Sequence, residues 1–342
     1  MRLCSLVTLA LLASGAAPVP ATTHVVDVNG GADYTAIVPA VWAASEGDTI
    51  LVYPGTYTGE DNRNIGRPGM NLVFLAVPNP RAPVIIDGTG TTSDRGFYFH
   101  GGEDATTLVH GFTIQNFTAQ SGAGIRVVSA SPTIEGCVFL GNHATSKGGA
   151  VYLSTSSSMV TDCVFRGNSA ALCGGALYSL TASPTITGCL FDENASGSMD
   201  GGAMFCDEGS ETILFCTMVE NGLNQVRVSY GSGVDLDCCI IANASDGVGV
   251  SAYPSTCAWI TRSILFGNPG GDVPECQYDE ILFEDPLFCD DAADDYTLCD
   301  DSSAVPENNS WLEQVGAFGP TCPPCGTPVE SATWGSMKAL FR

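Results

Sequence analysis

The chain has 342 residues, enough for one large domain or two ordinary ones. Its 12 Lys+Arg face 37 Asp+Glu, a formal net charge of −25 that argues against nucleic acid and anionic membrane surfaces as partners. Hydrophobic residues make up 44% and charged ones only 14%, so this is not a disordered acidic chain; with 40 Gly it reads as a core interrupted by many turns.

Residues 1–21 read as a secretory signal peptide. Arg2 supplies the positive start, Leu6 to Ala13 the apolar stretch, and Val19-Pro20-Ala21 the small-residue cleavage site. The apolar stretch is too short to span a bilayer, and the rest of the chain has no run of about 18 apolar residues, so the protein is not expected to span a membrane. Cleavage would leave 14 of the 15 cysteines in an oxidising compartment.

Residues 22–60 read as an N-terminal cap and a first coil. Tyr34 to Ala44 puts Ile37, Val41 and Ala44 on one helical face, with Asp33 as the expected N-cap and Gly47 beyond the end. Pro39 shortens or kinks that helix. GDTILVYPGTYTGE then reads as strand, Pro-Gly turn and strand.

Residues 61–288 carry a repeat. GGAVY…CVFRGN recurs as GGALY…GCLFDEN, and more loosely around Gly122 and Gly201. The heading Gly falls at 122, 148, 174 and 201, in steps of 26, 26 and 27. Cys137, Cys163, Cys189, Cys216 and Cys238 are each followed five residues later by Asn142, Asn168, Asn194, Asn221 and Asn243, the last step shortening to 22. Asn116 and Asn268 extend the Asn series, with Ser263 in the Cys position. Each unit holds three short alternating runs bounded by Gly, Ser, Asn or Asp, such as GGAVYLS, SMVTD and CVFRG. Three strands and three turns per unit predict an all-β parallel β-helix with coils of about 22–27 residues. Leucine-rich repeats have a similar period but need Leu at fixed places and a helical segment, and neither is present.

Stacked coils place equivalent residues in columns. The Cys series should form one inward column, Phe139, Phe165, Phe191, Met218 and Ile240 a second, and Ile134, Val160, Ile186 and Ile213 a third. Val138, Val164, Leu190, Thr217 and Cys239 should point outward. The Asn residues suit tight corners, where their amides can bond from coil to coil, and the paired glycines suit corners that a Cβ would block. Coil spacing of about 4.7–4.9 Å exceeds the ~3.8 Å Cβ separation of a disulfide, so the column should hold mostly free, buried thiols. A column cannot set four sulfurs around one ion, so the metal reading of it is the weaker.

The helix, GDTILVYPGTY and the stacked coils resemble the right-handed parallel β-helix proteins of the pectin-lyase-like superfamily over roughly residues 24–290. The GGAV/GGAL/GGAM and FLGN/FRGN/FDEN pairs resemble the GGA(I/L)–FxxN repeats of chlamydial polymorphic outer-membrane proteins. Those proteins end in a β-barrel, for which the residues after the solenoid leave no room. The superfamily resemblance implies a groove along one outer sheet in which enzymes cut acidic or neutral polysaccharides. Its lyases use Ca²⁺-binding Asp residues with an Arg or Lys base, and its hydrolases use Asp clusters on adjacent coils. Here Asp235 and Asp237 share a strand face, with Arg227 one coil earlier, as candidate catalytic residues; the remaining acids are not aligned in rows. Tyr152, Tyr178 and Phe205 should stack outward on three successive coils, with Arg126 at the end of the row. They either bind sugar rings or simply cover the sheet.

From Ser263 to Met337 there are 15 acids and no Lys or Arg. Residues 289–325 read as an acidic, Cys-containing C-terminal cap. Asp290, Asp291, Asp294 and Asp295 are candidate Ca²⁺ ligands, against the alternative of a solvated acidic loop. Cys289 and Cys299 bracket this stretch and are the expected disulfide. Cys322-Pro-Pro-Cys325 has redox spacing, but Gly, Thr and Pro follow where a helix would be needed. Residues 326–342 form a tail, either a sorting signal or a disordered end. Asn116, Asn194 and Asn243 match glycosylation acceptors, though the repeat accounts for them. The expected function is that of a secreted or cell-surface, non-catalytic β-helix, adhesive, structural or glycan-binding. The alternative is an extracellular polysaccharide lyase or glycoside hydrolase. No cofactor other than Ca²⁺ is implied.

Overall fold

The computed structural model describes residues 21–322 apart from 80, 230, 254–255, 272–276, 291–292 and 312. The signal-peptide cleavage segment before Ala21, the tail 326–342, Asp291 and Cys325 lie outside the described residues. Among the described residues the strands stack in parallel into a solenoid. Sheet I has 11 strands, from Thr23–Val26 to Gln277–Asp279. Sheet II has nine, from Gly55–Tyr57 to Ile264–Phe266, and sheet III seven, from Phe97–Phe99 to Val250–Ala252. A four-stranded ribbon, Thr118–Ser121 to Ala195–Ser196, edges the middle coils. One coil runs Met159–Thr161 in sheet I, Val164–Arg166 in sheet II and Leu177–Leu180 in sheet III.

The register is the one a strict repeat imposes. Ile134, Val160, Ile186 and Ile213 stand opposite one another in sheet I and are fully buried. Phe139, Phe165, Phe191, Met218 and Ile241 form the sheet II column, and the three rings stack at 4.8 and 4.7 Å, within 5° of parallel. Each buried ring contributes about 1.5–3 kcal/mol from removal of apolar surface, and each stacked pair about 0.5–1.5 kcal/mol more. The paired glycines have two separate causes. Gly148, Gly174 and Gly201 take φ of 63°, 64° and 76°, the left-handed region. A Cβ on Gly149, Gly175 or Gly202 would lie 2.0, 2.2 or 2.0 Å from a carbonyl oxygen of the next coil.

The Asn ladder runs through the buried corner. The backbone N–H and the Nδ2 of Asn142 both donate to Asn168 Oδ1, at 3.0 and 3.1 Å, and Asn168 repeats this to Asn194, and Asn194 to Asn221. Three expectations slip by one residue here: Asn116, at φ 59°, leaves its ladder position to Phe117, whose N–H donates to Asn142 Oδ1 at 3.2 Å, and two more follow. Asn243 sits one place before the ladder, at φ 52°, and Ala244 takes the ladder position, its N–H donating to Asn268 Oδ1. Gln225 fills the missing rung, accepting from Asn221 Nδ2 at 2.8 Å and donating to Asn268 Oδ1 at 3.1 Å. Likewise Cys239, not Cys238, continues the sulfur column: Thr217 pairs with Ile240 and the Cys239 N–H donates to Ser263 Oγ. Cys238 takes the left-handed corner that Gly136, Asp162, Gly188 and Phe215 hold in earlier coils. Ile240 accordingly faces outward and Ile241 inward. The column sulfurs of Cys137, Cys163, Cys189, Cys216 and Cys239 are buried free thiols; burial pushes the last four well above the usual thiol range.

The helix is shorter than the pattern suggests. It spans Ile37–Ala43, with Ala36 rather than Asp33 at the N-cap. Asn62 Oδ1 accepts from the Ile37 N–H at 2.9 Å, doing from the first coil what a local cap would do. Pro39 falls in the first turn, where its missing donor is not needed, and Ile37, Ala40 and Val41 are buried against the first coil.

The acidic C-terminal segment lies along the outside of sheet II. Phe288, Tyr296, Leu298, Val305 and Val315 cover Leu190, Val219, Ile240 and Ile264, which is why those outward positions are apolar. Arg166 pins the segment, pairing with Asp192 at 2.5 Å and Asp294 at 3.2 Å, while Tyr296 donates to Asp192 at 2.9 Å. Cys289 is joined to Cys322, in place of the expected Cys289–Cys299 pair. The strand Pro320–Cys322 lies beside Asp295–Cys299 and brings Cys322 within reach, a pairing that sequence spacing does not reveal.

Candidate functional site

The outer face of sheet III carries a continuous row. Inward positions Phe97, Ile125, Val151, Leu177, Met204 and Val226 are fully buried, so the next residue on each strand points outward. Register then aligns Tyr98, Arg126, Tyr152, Tyr178, Phe205, Arg227 and Ser251. Tyr152 stacks on Tyr178 at 5.4 Å and 13°, and Tyr178 on Phe205 at 5.6 Å and 27°. The aromatic stack expected at these positions is therefore present, but its middle is covered. Tyr178 is 0% and Phe205 5% exposed. Cys173, Leu172 and Leu180 pack on them, and Lys147 Nζ lies 4.3 Å over the Tyr178 ring. Lys147 donates to the Tyr178 phenol at 2.5 Å, and that phenol donates in turn to Asp207. Burial, then the hydrogen bond to Asp207, pushes the Tyr178 phenol up, so it remains a donor. Tyr178 and Phe205 thus brace the sheet, and the half-buried Tyr152 and its neighbours are the part of the row left open to solvent.

Those neighbours include two residues that the sequence reading missed. Tyr98 precedes Arg126 in the row, and Arg95 enters from the segment before it. The Arg126 guanidinium lies 5.8 Å from the Tyr98 ring and 5.3 Å from the Tyr152 ring, and Arg95 lies 4.9 Å from Tyr98. His100 packs on Tyr98 at 4.1 Å, its ring tilted by 31°. The coil of Tyr98 lacks the GGA motif, so only its register with Arg126, 28 residues on, marks it. Aromatic faces attract cations and the polarised C–H groups of other ligands, and here cations and rings alternate on one open face.

The other candidate groups are not brought together. Arg227 lies on sheet III, bonded to Ser251 and 4.2 Å over Tyr253. Asp235 and Asp237 lie on sheet I. Asp237 is paired with Arg262, which also binds Glu313 at 2.8 Å, and Asp235 is exposed between Thr212 and Trp259. One strand face does carry both acids, but the arginine is a sheet away, because strands of one coil diverge to different faces. In the acidic stretch, Asp290 is exposed, Asp294 pairs with Arg166, and Asp295 accepts from Thr297. Among the described residues they do not converge on a common point. The described group whose ligand atoms lie within 4.8 Å of one another is Cys289, Cys299 and Cys322, two of them joined as a disulfide.

One carboxylate faces the interior. Glu211 is 1% exposed, accepts from Ser179 Oγ at 2.7 Å, and has a second oxygen with no partner among the described residues. Burial pushes its carboxyl up to about 7.

Among the described residues no helix is long and apolar enough to cross a membrane. A search of curated proteins found no match to the chain. Among solved structures, a pectin methylesterase from carrot is similar at 14% identity and a TM-score of 0.44, over 79% of this chain and 91% of that chain. The family described as the right handed beta helix region matches residues 95–284, more than half of the 342, and spans the coils whose register is set out above. The chain belongs to the right-handed β-helix family.

Proposed function

We propose that this is a secreted or cell-surface, non-catalytic β-helix that binds glycans on the outer face of sheet III. The observation that carries the reading is the alternation of Arg95, Tyr98, Arg126 and Tyr152 on that face. Flat rings with cations between them offer both stacking and hydrogen bonding to a sugar chain. The GGA–FxxN motif, which resembles repeats of chlamydial polymorphic outer-membrane proteins, supports placement at a cell surface, as does the signal-like start. The cleavage candidates sit on two different sheets, which favours binding over lyase or hydrolase activity. The test is retention on a panel of immobilised polysaccharides. Tyr98→Ala with Tyr152→Ala should cut retention at least tenfold. Unchanged retention would remove this face as the site, and release of new sugar ends from any polymer would replace the binding reading with an enzymatic one.

A further inference from the structure

Arg95 and Arg126 both lie over the Tyr98 ring, and among the described residues neither is held in an ion pair. Arg63 is paired with Glu60 and Asp94, Arg166 with Asp192 and Asp294, and Arg262 with Asp237 and Glu313. Among the described residues the side chains of Arg95 and Arg126 make no ion pair or hydrogen bond, and the Nε of each is buried and without a partner. The adjacent acid, Asp94, is held by Arg63 at 2.9 Å and accepts from Asn64 at 2.9 Å, and its charge offsets only part of the burial of Arg95. Their mutual repulsion is felt: burial and then the Arg126 charge lower the Arg95 pKa. Two guanidiniums held near one another at such cost are a signature of a site that a ligand charge completes.

The geometry suits an anion. Tyr98 lies under both guanidiniums, at 4.9 and 5.8 Å, and Tyr152 under Arg126 at 5.3 Å, which orients the planar forks before any ligand arrives. Each fork offers donors spaced for two oxygens of a carboxylate or sulfate. Beyond Tyr98 the facing residue of the preceding coil is Gly66, which puts no side chain over the end of the row.

We infer that Arg95 and Arg126 form a binding site for anionic groups, and that the ligand of this face is an acidic glycan carrying carboxylates or sulfates. This rests on the glycan-binding reading and names its ligand class. The mature full-length protein is passed over immobilised polygalacturonate, dextran sulfate and neutral dextran at low and high salt. Retention on at least one charged polymer, weakened by salt, is expected, with little on dextran. Arg95→Gln with Arg126→Gln should reduce it at least tenfold, while Arg81→Gln, an exposed arginine away from the row, should leave it unchanged. Circular dichroism confirms that each variant is folded. Retention of polygalacturonate alone assigns the site to carboxylates, and of dextran sulfate alone to sulfates. Equal retention of dextran and the charged polymers, with the arginine variant unaffected, overturns the anion site and leaves glycan binding standing. A charged polymer held equally by the arginine variant also overturns it. Failure to retain any polymer overturns both.

Discussion

Glu211 shows what one misplaced charge does inside a stacked core. Its neighbours across the lumen are Ser179 and Cys206, in columns that are otherwise apolar, and its carboxyl is pushed up to about 7 from an ordinary value of 4.5. The folded state therefore binds its proton more tightly than the unfolded chain. The stability this gives is full below pH about 4.5 and is lost as pH rises through 7. The loss is on the order of 3 kcal/mol. Glu211→Gln should flatten that part of the profile and raise the urea midpoint at pH 8 relative to the parent; an unchanged slope between pH 5 and 8 would show that Glu211 is not the group responsible. The inward phase set by Ile213 extends back two residues to Glu211, but the column read from sequence stops at Ile213 and does not carry the alternation to the strand's start. Residue-level legibility fails at Tyr178. Its outward direction follows from the repeat, but the cover over it comes from Lys147, on the ribbon beside it, and from Cys173, bridged to Lys147.

At the scale of the element, coils are legible where the repeat is strict and slip where two frames compete. Between Gly122 and Asn221 the inward columns read from sequence are those of the structure. At Cys238-Cys239 both sulfurs fit the motif, and the choice falls to packing: Ile241 stacks under Met218, which sends Cys238 to the corner and Asn243 off the ladder. The helix cap and the disulfide were illegible for another reason, since Asn62 and Cys322 come from far along the chain. That disulfide closes a separation of 33 residues. By the loop-entropy argument it is worth about 3–4 kcal/mol to the segment it ties. Cys289→Ser with Cys322→Ser should raise amide exchange across Phe288–Cys299 by two orders of magnitude or more, and leave the coils from Ile125 to Val219 protected. Equal loosening of those coils would mean that the segment is integral to the stack instead of laid upon it.

For the whole molecule, each coil touches mainly its two neighbours, so the stack behaves as a one-dimensional array. Excising residues 148–173, one period of 26, joins Lys147 to Gly174 and brings Phe191 onto Phe139 and Asn194 onto Asn142. Such a protein should fold with a cooperative melt, less stable by about 1–4 kcal/mol on a per-residue scale. Excising 148–167 breaks every column and should not fold; if both deletions melt alike, register does not govern the assembly. The Asn ladder ties this array in both directions. Asn142, Asn168 and Asn194 each donate through the backbone N–H and Nδ2 to the Oδ1 of the next rung, and through Nδ2 also to a carbonyl of the preceding coil, that of Ile114, Phe139 and Phe165 respectively. A coil stripped of either neighbour is left with buried N–H groups and nothing to receive them. The stack is thus fastened by a two-sided clasp: a coil leaves from either end only by stranding buried donors.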